Sequence, residues 1–266
     1  MAKYSKVWYY MIYNAKSGQI ILDDTTMDYV SFGYGNKILI VIPGLSDGLI
    51  TVKGKSLFLL KPYRKYLNDY KVYIFSRKNK MPNNYSIKDM ANDQIIAMKK
   101  LGIKKANILG VSQGGMIAQT MAINNPDFIN KLIIAVSAPK TNDLIIKNIN
   151  EWLNFVKIND HKKLMISFAE NYYTENFLKK YRLIYPIIGM IGKPKNYNRF
   201  IINAKAIEEF DIYDEIDKIK SPTYILAGEN DKIVGIQASY DMYDKIKNSK
   251  LYSYNNMGHA PNEEDK

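Results

Sequence analysis

Ser112 stands in the run Gly110-Val111-Ser112-Gln113-Gly114-Gly115, between an apolar stretch and an amphipathic one. A serine with glycine two residues away on each side suits a tight strand-to-helix turn, because a Cβ at either glycine would obstruct the close backbone approach. On such a turn the hydroxyl projects as a nucleophile. The helix N-terminus also aims amide N–H groups and positive dipole at any negative charge developing there. A serine hydroxyl stays a weak nucleophile until a base removes its proton, so a histidine is required. The chain has two, His161 and His259. His161 lies in Asn159-Asp160-His161-Lys162-Lys163 and reads as a surface residue at a polar helix start. His259 lies in Asn255-Asn256-Met257-Gly258-His259-Ala260-Pro261, after the last strand-like segment, where a loop at the sheet's C-terminal edge delivers a base. The third group must be a carboxylate that fixes the imidazole tautomer and stabilises the imidazolium. Gly228-Glu229-Asn230-Asp231-Lys232-Ile233-Val234 offers two, and the longer loop reach favours Asp231 over Glu229. Ser112, Asp231 and His259 then run in the order serine, acid, histidine, unlike the chymotrypsin and subtilisin orders.

Those side chains need a scaffold that brings distant segments to one edge. Apolar runs at 37–42, 72–75, 106–111, 132–136, 224–227 and 251–254 read as strands, the central ones buried on both faces. Amphipathic stretches between them predict helices over 86–101, capped by Ser86 and stopped by Gly102, and over 114–124. The expected class is α/β, a mostly parallel sheet flanked by helices. The first forty residues differ and predict antiparallel strands, one of them within Met1–Tyr13, with turns at 14–18 and 23–26. Residues 140–211 hold helical patterns and no convincing strand. By position they form an all-helical cap, which divides the chain into a core at 1–139, the cap at 140–211 and a second part of the core at 212–266. The cap must arch over the edge that carries Ser112. An enclosed apolar pocket is therefore expected, lined by Met116 and by Trp152, Phe155, Met165 and Phe168, with rates that rise per substrate methylene until it is full.

The bulk composition restricts the alternatives. With 266 residues, 47% hydrophobic and 24% charged, the chain is of ordinary globular composition and needs no staples. It has no cysteine, which excludes disulfides, thiolate metal sites and a cysteine nucleophile. The net charge of +12 is spread over scattered lysines without aromatic interleaving, so no nucleic-acid partner is expected. No apolar run approaches the roughly 18 residues of a membrane span, and the N-terminal apolar stretch lacks a cleavage site. A cytoplasmic enzyme with no membrane partner is the expectation.

With these motifs in place, the sequence resembles the α/β-hydrolase family over nearly its whole length. Ile40-Val41-Ile42-Pro43-Gly44-Leu45 is similar to the family's oxyanion strand and loop, although members commonly carry His-Gly where this chain has Pro43-Gly44. The resemblance implies an oxyanion hole made of the Leu45 and Gln113 backbone amides. It implies a serine hydrolase that acts on a small-molecule carboxylic ester or related acyl compound, with neither metal nor cofactor. The same machinery serves enol-lactonases, carbon–carbon bond hydrolases, thioesterases and aminopeptidases, and a ligand sensor could retain it. Epoxide hydrolases and haloalkane dehalogenases are disfavoured, since those relatives place aspartate where Ser112 stands.

Overall fold

The computed structural model describes residues 13–260, apart from the side chain of Lys180. The strand expected within Met1–Tyr13 falls almost wholly outside the described residues. Eight strands form one sheet: β1 (Lys16–Leu22), β2 (Thr25–Phe32), β3 (Lys37–Ile42), β4 (Tyr70–Lys78), β5 (Ala106–Val111), β6 (Ile129–Ala135), β7 (Thr223–Gly228) and β8 (Ser249–Tyr254). Their spatial order is β1-β2-β4-β3-β5-β6-β7-β8. From β4 to β8 neighbours are parallel, and β2 pairs antiparallel with both β1 and β4. The sequence pattern explains the arrangement. β3 and β5 are apolar on both faces because helices cover both sides. β1 is an edge strand whose exposed positions are Lys16, Ser17, Gln19 and Ile21. The turn expected over 14–18 is shorter: Asn14 turns at φ 48°, and β1 already begins at Lys16.

Seven longer helices follow the strands: α1 (Ile87–Lys100), α2 (Gln113–Asn124), α3 (Asp143–Lys157), α4 (His161–Tyr172), α5 (Glu175–Tyr181), α6 (Asn198–Glu208) and α7 (Ile236–Lys245). Ser86 and Asp89 close a reciprocal capping box on α1. Between α5 and α6 lies a short helical turn, Tyr185–Ile188, with Pro186 in its first turn, which the sequence pattern did not single out. Helices α3 to α6 all fall between β6 and β7. The two ends of that segment are clipped together: Lys140 bridges Asp211, Thr141 N–H donates to Phe210 O at 2.8 Å, and Ile212 N–H donates to Pro139 O at 3.0 Å. β6 ends one residue earlier than expected. Val136 turns to φ 46°, a costly conformation for a β-branched residue, while its N–H still bonds Leu226 O at 2.8 Å.

Candidate active site

Ser112 is the residue between β5 and α2, with φ 54° and ψ −120°. A non-glycine residue with φ above zero is strained by Cβ–carbonyl sterics, and the surroundings must hold it there. Here the Ser112 N–H donates to Ala135 O at 2.9 Å, and its carbonyl accepts from Gly115 N–H at 2.8 Å. The flanking glycines are steric necessities. A Cβ on Gly110 would collide with the Gly114 carbonyl, and one on Gly114 with the Ile42 carbonyl. This is the local reason the sequence folds so at 110–115: α2 lies too close to β3 and β5 for anything larger.

Asp231 follows β7 and is almost fully buried. Its Oδ1 accepts from the Ile233 and Val234 amides at 2.8 and 3.0 Å, and Oδ2 lies 2.8 Å from His259 Nδ1. Burial by itself raises the carboxyl pKa. The His259 ring and the two amides outweigh it and hold Asp231 below the ordinary aspartate value. With Oδ2 accepting, the Nδ1–H tautomer is the favoured one, which leaves Nε2 as the basic nitrogen. His259 is 1% exposed, and Nε2 makes no hydrogen bond among the described residues, so contact with the Ser112 hydroxyl is not closed in this structure. Such bonds commonly tighten only when substrate is bound. Glu229, the rival carboxylate, is exposed.

Leu45 and Gln113 each open a helical turn, Leu45 that of 45–48 and Gln113 that of α2. First-turn amides have no intrahelical acceptor and are available to an oxyanion. Both residues line one small cavity together with Ser112, Met116, Ile145, Ile149, Trp152, Tyr172, Ile207, Ile233 and Val234. Its free volume is about 20 Å³, room for roughly one water molecule. Of the expected pocket residues the structure brings Met116 and Trp152 to Ser112. Phe155, Met165 and Phe168 are not in the lining; they are half-buried and packed on the hydrophobic core. The buried stripe of α3 is Ile145, Ile149, Trp152 and Val156, which leaves Phe155 on its flank. Phe168 lies behind the indole instead, with its ring centroid 4.4 Å from that of Trp152.

Three features near the site were not legible from motifs. Tyr172, the last residue of α4, sets its ring 4.8 Å from that of His259 and accepts the His259 N–H on its carbonyl at 2.8 Å. Its hydroxyl reaches the surroundings of Ser112: a Cβ built on Gly44 would stand 3.7 Å from it and 3.2 Å from Ser112 Cβ. Secondly, Asp47, Arg77 and Gln113 form a buried cluster. Arg77 Nη2 donates to Gln113 Oε1 at 2.9 Å, and Gln113 Nε2 donates to Asn203 O at 2.8 Å. Asp47 Oδ2 accepts from Arg77 N–H at 3.0 Å and from Arg199 Nη2 at 2.6 Å. Burial pushes the Arg77 guanidinium down to about 10, against the attraction of Asp47. Burial would raise Asp47, but Arg199 and Arg77 overcome it and keep the carboxyl below its usual value. The cluster ties together the segments that carry the Leu45 and Gln113 amides. An arginine two residues past the apolar run 72–75, still within β4, was the available signal. Thirdly, His161 is not a surface residue. It is 3% exposed, its Nε2 donates to Ile191 O at 2.8 Å, and its Nδ1 accepts from the Tyr197 hydroxyl at 2.9 Å. Two carbonyl and hydroxyl partners supplied by a distant segment turn a polar helix start inward. Among the described residues no group of three or more metal-ligating side chains is assembled.

A serine on a strained strand-to-helix turn, a buried acid–imidazole pair and a mostly parallel sheet flanked by helices are the features of one class of hydrolases. The family model of the alpha/beta hydrolase fold matches residues 63–266. The chain belongs to the α/β-hydrolase family and is a hydrolase. It is 25% identical to RutD of Stutzerimonas stutzeri over 249 residues, 83% of this chain and 85% of that protein. It is 21% identical to 3-oxoadipate enol-lactonase 2 of Acinetobacter baylyi over 237 residues, 86% of this chain and 84% of that one. Among solved structures, MGS-M2, an alpha/beta hydrolase enzyme from a Medee basin deep-sea metagenome library, superposes with a TM-score of 0.79. It shares 20% identity and covers 93% of this chain and 92% of its own. At that identity the structural likeness speaks for the fold.

Proposed function

We propose that this protein is a serine hydrolase that cleaves a carboxylic ester or related acyl bond through an acyl-enzyme intermediate. The observation that carries this reading is the strained Ser112 turn, opening into a cavity shared with the two first-turn amides. In the first half-reaction His259 Nε2 takes the Ser112 proton while Oγ bonds to the carbonyl carbon. The carbonyl π electrons move to oxygen, and the Leu45 and Gln113 amides stabilise that oxyanion. Collapse expels the alkoxide, which takes the proton from His259. Water then attacks the acyl-enzyme with His259 again as base, and the acid leaves with Ser112 restored. Asp231 holds the tautomer and offsets the imidazolium charge throughout.

The helices between β6 and β7 act as a cap, with the bridge at Lys140 and Asp211 as its base. Because the cavity is apolar but small, short acyl groups fit it best, and Trp152 sets the limit. The relatives' names span several bonds, lactone cleavage among them, so the leaving group is tested separately from the acyl group. A fluorophosphonate probe should label the protein once, on Ser112, and leave Ser112→Ala unlabelled. A p-nitrophenyl series should be fastest on the acetyl ester and slow with each added methylene. Labelling that persists in Ser112→Ala would overturn the assignment, and greater activity on lactones than on any open ester would move the reading to a lactonase.

A further inference from the structure

The outer face of the helical segment between β6 and β7 presents apolar side chains to solvent. Leu183 is 85% exposed and Met190 77%, while Ile184, Ile187 and Ile191 lie between 41% and 53%. Single exposed aliphatics are common on any surface, but five within nine residues make a contiguous patch of the kind that marks an interaction site. They recur at intervals of three to four residues through the turns 182–184 and 185–188, of which only Ile188 is buried.

Charge says what covers this patch. From 176 to 207 there is no acidic residue. Lys179 precedes the patch, Lys193 and Lys195 follow it, and all three are exposed. From α4, the exposed Lys162 packs against Gly189 at its margin. The acids on the adjoining elements are already engaged: Glu170 and Glu175 pair with Arg182, and Asp160 pairs with Lys163. An apolar centre bordered by cations, within a protein of net charge +12, complements an anionic lipid surface. The segment is also held in shape. The Tyr185 hydroxyl donates to Glu170 at 2.9 Å, and His161 Nε2 bonds the Ile191 carbonyl from beneath.

We propose that this face docks on the surface of a membrane that contains anionic phospholipid, with Leu183, Ile187 and Met190 entering the boundary of the acyl region and Lys162, Lys179, Lys193 and Lys195 lying among the headgroups. No helix among the described residues is long and apolar enough to cross a membrane. The expectation of no membrane partner rested on the search for such spans, and a surface-lying patch escapes it. The docking does not depend on the catalytic reading above.

The test is co-sedimentation of the full chain with phosphatidylcholine vesicles, with and without phosphatidylglycerol, at low and high salt. The protein should bind the anionic vesicles, release at high salt, and stay in solution with neutral ones. Leu183→Asp with Met190→Asp should weaken binding at least tenfold. Each of Lys179→Gln, Lys193→Gln and Lys195→Gln should weaken it roughly fivefold, the equivalent of about 1 kcal/mol per cation. Thermal unfolding checks that every variant is folded, and turnover of soluble p-nitrophenyl acetate should be unchanged. Equal binding to neutral vesicles, or unaltered binding by the variants, would overturn the proposal. So would a wild-type dimer that Leu183→Asp converts to monomer without any vesicle binding, since the face would then be covered by a second copy. Loss of esterase activity in the wild type would count against the proposed function and leave the vesicle result standing.

Discussion

Asp231→Asn isolates the imidazole's orientation from its presence. The wild-type carboxylate accepts three hydrogen bonds: two from the Ile233 and Val234 amides on Oδ1, and one from His259 Nδ1 on Oδ2. Asparagine has one acceptor oxygen and one NH2 group. Keeping the two amide bonds fixes its carbonyl oxygen at the Oδ1 position and turns the NH2 toward His259. Nδ1 must then accept, the ring proton moves to Nε2, and the nitrogen that should take the Ser112 proton already carries one. In a Ser-His-Asp triad this wrong tautomer costs on the order of 10⁴ in kcat, or about 5.5 kcal/mol of barrier at about 1.4 kcal/mol per decade. The fold should survive, because the loop keeps both amide bonds. Replacing a charge-assisted bond costs about 1.5–3 kcal/mol of stability. The assay is steady-state hydrolysis of a p-nitrophenyl ester beside urea unfolding, with KM expected to change little since Asp231 is not in the cavity lining. A variant that keeps a tenth or more of wild-type kcat while remaining folded would refute the reasoning. The exposed Glu229 could not rescue it from its present place.

Trp152→Ala removes the largest side chain bordering Ser112 and its indole bond to Ser167 Oγ at 3.1 Å. It should cost about 3–5 kcal/mol and move the preferred acyl chain several carbons longer, read from the same ester series; an unmoved optimum would detach the indole from acyl selection. Arg77→Met leaves Gln113 Oε1 without its donor and removes one of the two cations facing Asp47, so a loss of about 3 kcal/mol is expected, the low end for a broken buried ion pair, with urea midpoints as the measurement. Acid should destabilise the protein through the two depressed carboxyls that are buried, Asp47 and Asp231. Their folded values lie below the unfolded value of about 3.9, so they contribute stability above that pH and lose it as pH falls through the folded values. Urea midpoints at pH 5 and pH 3 should differ, and less so in Asp231→Asn; an equal difference in both proteins would assign acid sensitivity elsewhere.

What could be read from the chain alone was whatever a local backbone requirement writes into neighbouring residues. The Ser112 turn needs glycine at 110 and 114, so the motif and its geometry are the same information. The strands at 37–42 and 106–111 were legible to the residue because a doubly covered strand is apolar along most of its length, Lys37 and Asn107 being the polar exceptions near their starts. Ser86 and Gly102 marked the ends of α1 for the same local reason. Asp231 and His259 were found by chemical necessity in a chain with two histidines, each on a loop after a strand. The tertiary structure decided everything that depends on how a helix is rotated against a distant segment. Trp152 faces Ser112 while Phe155 does not, because the stripe from Ile145 to Val156 sets the roll of α3, a packing outcome without a sequence signature. Tyr172 reaches His259 across 87 residues of chain. His161 turned inward because Ile191 and Tyr197 arrived to satisfy both ring nitrogens. Asp47, Arg77, Gln113 and Arg199 meet in the interior because four separated segments converge there. Charged side chains scattered along a sequence carry no mark of which will be buried together: that cost is met only by partners the fold supplies.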